Sequence, residues 1–445
     1  MAVDASPGAG RVLIAESAGP LVAEPTWTRY DNITLCRNYG FDSYAGRQTE
    51  LDTTDTGNAT VYFHDQNKTL TTDLVGCQIM LQLYNPNTAA WQPRWRGHID
   101  DLRRNLVNVP GAPLADTSLT AVGIFDYLGG VKFLPGVMGD PTPATVTGVV
   151  FYEEQRVDDF IIALLTDANI APTMMVVFTG HVDVNEVVYD PDDVILQGCR
   201  DGADAEFPGV ANFFEDRFGR CCFHGRMARF NPEATEAGSP TEWSFRRFYA
   251  GTREDSGAIG SPSPSGVSAE VKDFSYNAPR ARIINTASIW PRADENGFEF
   301  NRDLIQDMLK TNATSITAYG YRGYEAGDLI VKRNFDNDET GRQQCERYAN
   351  FYVLNYHEIR KSVESVLFQS CPPADPRAPE TWRLMTQSDI GDAINLTIDE
   401  ADLANEPFFI DGINIECRPL NPSYDLVNFT PNLTPASYYG TDVFA

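Results

Sequence analysis

The stretch Cys77-Gln-Ile-Met-Leu-Gln-Leu-Tyr84 decides the fold class. Its apolar positions Cys77, Ile79, Leu81 and Leu83 recur every second residue, the period of a strand with one face buried. Asn85-Pro-Asn87 then turns the chain, and Trp95 to Ile99 returns it. Thr60-Val-Tyr-Phe63 supplies a further strand upstream. Residues 26–108 therefore read as a small antiparallel barrel or sandwich, preceded by an extension over 1–25.

Downstream the pattern changes. Arg156 to Asn169 places Val157, Phe160, Ile161, Leu164, Leu165 and Ala168 three and four apart, which predicts a helix with Asp158 and Asp159 in its first turn. Thr340 to Tyr356 repeats the pattern with Cys345, Tyr348, Ala349, Tyr352, Val353 and Tyr356, and Asn301 to Lys310 is a shorter third candidate. Asn212–Glu215 and Arg220–His224 flank Asp216-Arg-Phe-Gly219 and predict a hairpin with glycine at its tight position. Gly251 to Glu270 is rich in Gly, Ser and Pro and reads as a loop. Strand patterns resume at Ala281–Ile289, Ser315–Tyr321, Ser362–Phe368, Ala393–Ile398 and Pro407–Cys417. The expected order is a mixed α+β segment over 109–205, a second peripheral segment over 206–280, and a second β-domain over 281–445 that carries the helix 340–356.

Composition narrows the function classes. The 445 residues hold 35 Lys+Arg against 62 Asp+Glu, a net charge of −27 that repels nucleic acid and anionic membrane. The most basic stretch, Arg217 to Arg247, reaches only +3, from six Arg and three Glu. From Leu384 onward ten acids face Arg418 alone. The longest apolar run, Ala168–Val182, is 15 residues and broken by Pro172 and Gly180, short of a membrane span. The start Met1-Ala-Val-Asp4 lacks a basic region followed by an apolar one, so no secretory leader is expected. Eight sparse Cys without C-x-x-C spacing read as reduced thiols, and the seven N-x-S/T matches carry no expectation of glycosylation.

The chemistry-bearing patterns are weak. No G-x-S-x-G elbow, H-E-x-x-H pair or P-loop occurs. Cys221, Cys222 and His224 are soft ligands, but on one strand Cys221 faces away from the other two. Asp336-Asn-Asp338-Glu-Thr340-Gly341 opens like a calcium loop, yet position 12 is Arg347 where a bidentate Glu belongs, and helix capping by Asp338 or Thr340 explains the same residues. Nothing selects a catalytic pair from 62 acids. Tyr319-Gly-Tyr-Arg-Gly-Tyr324 is a stacking platform or, more simply, aromatics packed at a strand-edge turn. No catalytic, metal or cofactor residue is assigned.

One ordered series goes further. Gly46-Arg-Gln-Thr-Glu-Leu-Asp52, Thr56-Gly-Asn-Ala-Thr-Val61 with Phe63, the turn Asp65-Gln-Asn67, and Arg96-Gly-His-Ile-Asp100 resemble a pattern in minor tail proteins of long-tailed phages, especially those infecting actinobacteria. Tyr319–Arg322, the helix Asp338–Tyr356, Ile390-Gly-Asp392 and Phe408–Ile415 continue the similarity. The turn His64-Asp-Gln-Asn-Lys68 and the loop 251–270 depart from it. The resemblance implies a mainly β chain with two β-barrel or sandwich tube domains and peripheral mixed domains between them. It further implies a structural, non-enzymatic hub of the tail tip at the distal end of the virion tail, homotrimeric, so that two tube domains per subunit give six around the axis. Implied partners are the distal tail protein, the tape measure protein and the tip or receptor-binding proteins; DNA passes through the channel without specific binding, no membrane insertion is stable, and no cofactor is needed. The alternatives are the hexameric distal tail ring and a tail-associated enzyme that degrades cell wall. The excess of 29 Arg over six Lys suits planar interface pairs, and GC-rich coding explains it equally.

Overall fold

The computed structural model describes residues 10–30, 36–49, 52–65, 68–107, 114–140, 148–225, 246–252, 267–278, 280–292, 309–331, 339–359, 362–421 and 424–439. The chain begins with strands β1 (Arg11–Ala15), β2 (Cys36–Gly46), β3 (Asp55–Asp65), β4 (Gln78–Asn85), β5 (Ala90–Val107) and β6 (Leu114–Val122). It then enters a mixed segment with helices α1 (Ile124–Gly130), α2 (Val157–Asp167) and α3 (Ile195–Glu206) and the hairpin β7 (Asn212–Glu215) and β8 (Cys221–His224). Strands β9 (Arg247–Gly251) and β10 (Ala269–Asn277) return to the β-region. Strand β11 (Thr286–Pro291), α4 (Ala313–Tyr319), β12 (Gly323–Leu329) and α5 (Glu339–Asn355) rejoin the mixed segment. Finally β13 (Ser362–Gln369), α6 (Ala378–Gln387), β14 (Ala393–Ile398), β15 (Leu403–Asn421) and β16 (Tyr424–Pro435) complete the β-region.

The molecule is mainly β, and its β-region is one sheet with two differently finished halves. In the C-terminal half the order β15-β14-β9-β10-β13-β16 returns to β15, a closed six-stranded barrel. In the N-terminal half the two-residue edge strand Thr28–Arg29 pairs with β1, and the order β1-β4-β5-β6-β3-β2 runs into the same β15. The 19-residue β15 bridges the halves, pairing β14 over Leu403–Phe409 and β2 over Gly412–Cys417 while β16 follows its other edge. Among the described residues β1 and β2 form no ladder. Instead the start of β1 abuts the Phe41 ring of β2, and the Gly10 N–H donates to Asp425 Oδ2 at 2.7 Å.

Two cores follow from this path. Val12, Phe41, Val61, Ile79, Leu81 and Leu119 share one core with Phe248, Val366, Ile394, Ile415 and Phe429, so both halves of the sheet are packed as one body. The second core joins α2 and α3 to Ile289, Tyr348 and Tyr352 from the later excursion. The hairpin Asn212–His224 forms with Gly219 at φ +71°, and the helix read over 156–169 spans Val157–Asp167. The alternation in β4 places Ile79, Leu81 and Leu83 in the core; Gln78 and Met80 are buried on the other face too, Gln78 because its amide holds the Gly19 and Val22 carbonyls at 2.7 Å.

Two differences have clear causes. Ser315–Tyr321, read as a strand, is corrected: Ala313–Tyr319 is helical because the Asn312 carboxamide caps it, its Oδ1 accepting the Ser315 N–H at 3.0 Å. The closed barrel draws its strands from 247–277 and 362–435, while 286–355 packs in the other core, because its ladders join strands distant in sequence. The helix read over 301–310 falls outside the described residues except for its last two, and Lys310 lies in a two-residue strand. Most of the loop 251–270 and residues 336–338 of the calcium-like pattern also lie outside them.

Candidate functional site

The quoted motif residues converge where the mixed segment meets the sheet. Gly46 ends β2 at φ +106°, and a Cβ there would lie 2.3 Å from the Asp411 carbonyl oxygen, so glycine is required. This close approach delivers Arg47 onto the bulge of β15 between Ile410 and Gly412. The Arg47 N–H donates to Asp411 O at 2.9 Å, and its Nε and Nη2 donate to Asp411 Oδ1 at 3.1 and 3.0 Å. The same Nη2 reaches Gly209 O of the mixed segment at 3.1 Å, and Asn432 Nδ2 holds Arg47 O at 2.9 Å. Arg47 is 2% exposed, so one buried guanidinium pins three parts of the chain.

The β7–β8 hairpin is the second tie. Glu215 is wedged between two glycines of the β-region: its carboxylate accepts the Gly57 N–H at 2.9 Å and the Phe125 N–H, and a Cβ on Gly123 would lie 2.0 Å from it. Burial raises the Glu215 carboxyl to about 7 against the opposing pull of those two N–H donors. At the hairpin tip Asp216 accepts Arg220 Nε at 2.7 Å, and burial, with Asp389 nearby, raises Asp216 to about 6. Arg217 reaches out of the hairpin to Thr386 O at 2.9 Å, with its Nε 3.7 Å from Asp389.

Around that tip lie Arg94 from β5, Arg246 before β9, and the α6–β14 connection. Arg94 is 4% exposed, donates to Ser388 O, and is lowered to about 9 by burial and by Arg217. Arg246 pairs with Asp392, whose carboxyl burial raises to about 7 although Arg246 opposes the shift. Gly391 at φ +92° lets its N–H reach Ile410 O at 2.8 Å, which seats Ile390-Gly-Asp392 against β15. Arg96 of Arg96-Gly-His-Ile-Asp100 holds the Val22 and Ala23 carbonyls and Gln78 Oε1. Thus residues 46–49, Gly57 and 390–392 are brought to one junction, with Arg96 against the hairpin at Gly219.

The charges are buried, matched to carbonyls or to one another, and an arrangement of this kind fixes geometry. A cleft of about 450 Å³ opens beside the Arg47 node, lined by Asp52, Asp55, Arg200, Asp204 and Tyr324. Cys221 faces the mixed core, Cys222 packs oppositely with Phe214, and the His224 ring meets Phe178 and Phe214 edge-on at 4.8 and 4.5 Å. No group of three or more His, Cys, Asp or Glu side chains is placed to hold a metal among the described residues. Of the Tyr319–Tyr324 motif, Tyr324 lies 4.2 Å from the Tyr352 ring centroid, whereas Tyr321 is 79% exposed. Glu215, Asp216, Arg217, Arg94 and Arg246 were not singled out in the sequence; the available signal was charge inside a strand pattern.

No protein-family model matches the chain, and no curated protein matches its sequence. Solved structures do match. The tail protein from Neisseria meningitidis MC58 superposes with a TM-score of 0.54 at 10% identity, covering 98% of this chain and 99% of that one. The 43 kDa tail protein of prophage MuSo2 from Shewanella oneidensis gives 0.52 at 9% identity, covering 96% and 99%. This chain therefore has, from end to end, the fold of those two tail proteins.

Proposed function

We propose that the chain is a structural subunit of a phage tail, the homotrimeric hub at the distal tip. The single observation that carries this reading is the end-to-end fold match with two tail proteins, 98% against 99% and 96% against 99% of the chains. The sheet's construction supports the finer reading. Each subunit carries one closed six-stranded barrel and one seven-stranded half joined through β15, so three subunits would present six β-modules to a sixfold tube. Net charge −27 suits the wall of a channel through which DNA slides without adhering. The assignment to long-tailed phages of actinobacteria rests on the motif series ending at Asp392 and Ile415.

In this role the protein performs no chemistry. It joins the tail tube and distal tail ring to the tape measure and tip or receptor-binding proteins, closes the channel, and relays receptor engagement through a rigid frame. The junction of Arg47, Glu215 and Arg217 is the part of that frame that couples the mixed segment to the sheet. Copy number in purified virions tests the reading by quantitative mass spectrometry. Three copies per tail are expected; six would make it the ring protein, and copies in the capsid alone would remove it from the tail. Release of sugar or peptide from cell walls by the pure protein would restore the enzyme alternative.

A further inference from the structure

The turn after α4 is held by a closed network of hydrogen bonds. Asn285, fully buried, accepts the Arg322 N–H at 2.8 Å through Oδ1 and donates through Nδ2 to Gly320 O at 2.8 Å and Ser315 Oγ at 3.2 Å. Its own N–H donates to Arg322 O at 3.0 Å, and Gly320 adopts φ +76° to close the turn. Ser315 Oγ extends the network to His357 O at 2.5 Å, just past the end of α5. What this scaffold presents to solvent is Tyr321, 79% exposed. Leu309 (43%), Leu354 (57%) and Ile359 (43%) are exposed on the segments stitched to it. Single exposed apolar side chains are ordinary; here the segments that carry them are joined by one hydrogen-bond network through Asn285 and Ser315.

Two arginines also stand at this end of an acidic chain, near the exposed Glu358. The Arg280 guanidinium donates to Tyr319 O, and the Arg322 guanidinium has its Nε buried without a partner. Neither meets a carboxylate among the described residues, in a chain whose 62 acids outnumber its 35 bases. A preorganised tyrosine flanked by arginines is the composition of an interface hot spot, since its ordering cost is met before binding. The complementary surface exists on the same molecule. The turn from β14 into β15, Asp399-Glu-Ala-Asp-Leu-Ala-Asn-Glu406, exposes Asp399, Glu400 and Glu406 and contains no Lys or Arg.

We propose that the Tyr321 turn docks onto the Asp399–Glu406 turn of a second copy of this chain. The contact is heterologous, mixed segment to barrel, and three such contacts close a ring. It rests on the trimer reading above and names the surfaces that make the trimer. Aromatic stacking and apolar cover come from Tyr321, Leu354 and Ile359, while Arg280 and Arg322 supply direction and register against the carboxylates.

Sedimentation of the full-length chain over a concentration series tests it. The unaltered protein is expected as a trimer. Tyr321→Ala, at an exposed position, is expected to weaken trimerisation at least tenfold with its far-UV circular dichroism unchanged. Arg280→Glu and Glu400→Arg are each expected to dissociate the trimer, and the two combined in one chain to restore it. Variants that remain trimeric beside a trimeric parent overturn the docking surface and leave the hub reading standing. A charge swap that fails to restore the trimer overturns the assignment of the acidic turn as occupant. A parent that is monomeric at every concentration overturns both.

Discussion

The two halves of the sheet solve the problem of an open β-edge in different ways. The C-terminal half closes through backbone pairing alone: β15 and β16 share a long antiparallel ladder, and β13 meets β16 at Phe368 and Gln369 to complete the ring. The N-terminal half has no ladder between β1 and β2 among the described residues: the outer edge of β1 carries only the two-residue strand Thr28–Arg29, and side chains brought from elsewhere tie β2 and β3 down. Glu215 of the mixed segment holds Gly57 of β3, Asn212 accepts the Thr54 hydroxyl proton at 2.7 Å, and Arg47 at the end of β2 reaches Gly209. A sheet can thus be finished by hydrogen-bonded closure or by a plug, and the plugged half depends on the integrity of another segment.

Removing one partner from the Arg47–Asp411 pair should have the largest effect. Arg47→Ala removes the guanidinium paired with the fully buried Asp411 carboxylate and is expected to destabilise the fold by about 3–5 kcal/mol in denaturant unfolding. Glu215→Ala leaves the buried Gly57 and Phe125 N–H groups without their acceptor, at about 2–3 kcal/mol. Hydrogen exchange sharpens the comparison here. Amides of β3 and β6 should lose protection in Glu215→Ala while those of β14–β16 retain it; equal loss in both halves would contradict the plug. Gly123→Ala forces a methyl into the same carboxylate and is expected to cost about 1–3 kcal/mol, again with the loss of protection confined to the N-terminal half.

The smallest expected effect is on pH dependence. Burial raises Glu215 and Asp392 to about 7 and Asp216 to about 6, each above its ordinary value. Between the ordinary carboxylate range and those values the folded state binds more protons than the unfolded chain, so stability falls as pH rises. The contribution is complete below the unfolded pKa and is lost as pH climbs through about 6 to 7. Thermal unfolding should therefore occur at a higher temperature at pH 5.5 than at pH 8, and Glu215→Gln should flatten that slope. A steeper slope in the variant would show that Glu215 is not among the groups responsible.

Local physics made several elements legible in the sequence. The three-and-four spacing from Val157 to Leu165 gave a helix, the tight Gly219 a hairpin, and the run Ala393–Ile398 a strand with the same bounds. Ser315–Tyr321 misled because Ile316, Thr317 and Tyr319 favour strands, while the capping contact from Asn312 to Ser315 outweighed that preference. Helices α3 and α6 went unread; Pro379 and Glu380 in the first turn of α6 were a usable start signal. Barrel closure was not readable, because β10 and β13 pair across an excursion of more than eighty residues that local patterning does not register. The junction was hidden for a different reason. Asp392 lay in a quoted motif and Asp216 in the hairpin tip, but Glu215 is one acid among 62 and only burial distinguishes it.

A single-particle reconstruction of the intact tail tip confronts the central claim with one picture. The account predicts three copies of this chain at the distal end, with closed barrels and plugged half-sheets alternating as six modules around the DNA channel. Six copies contributing one module each, or a chain lying outside the channel wall, would contradict it.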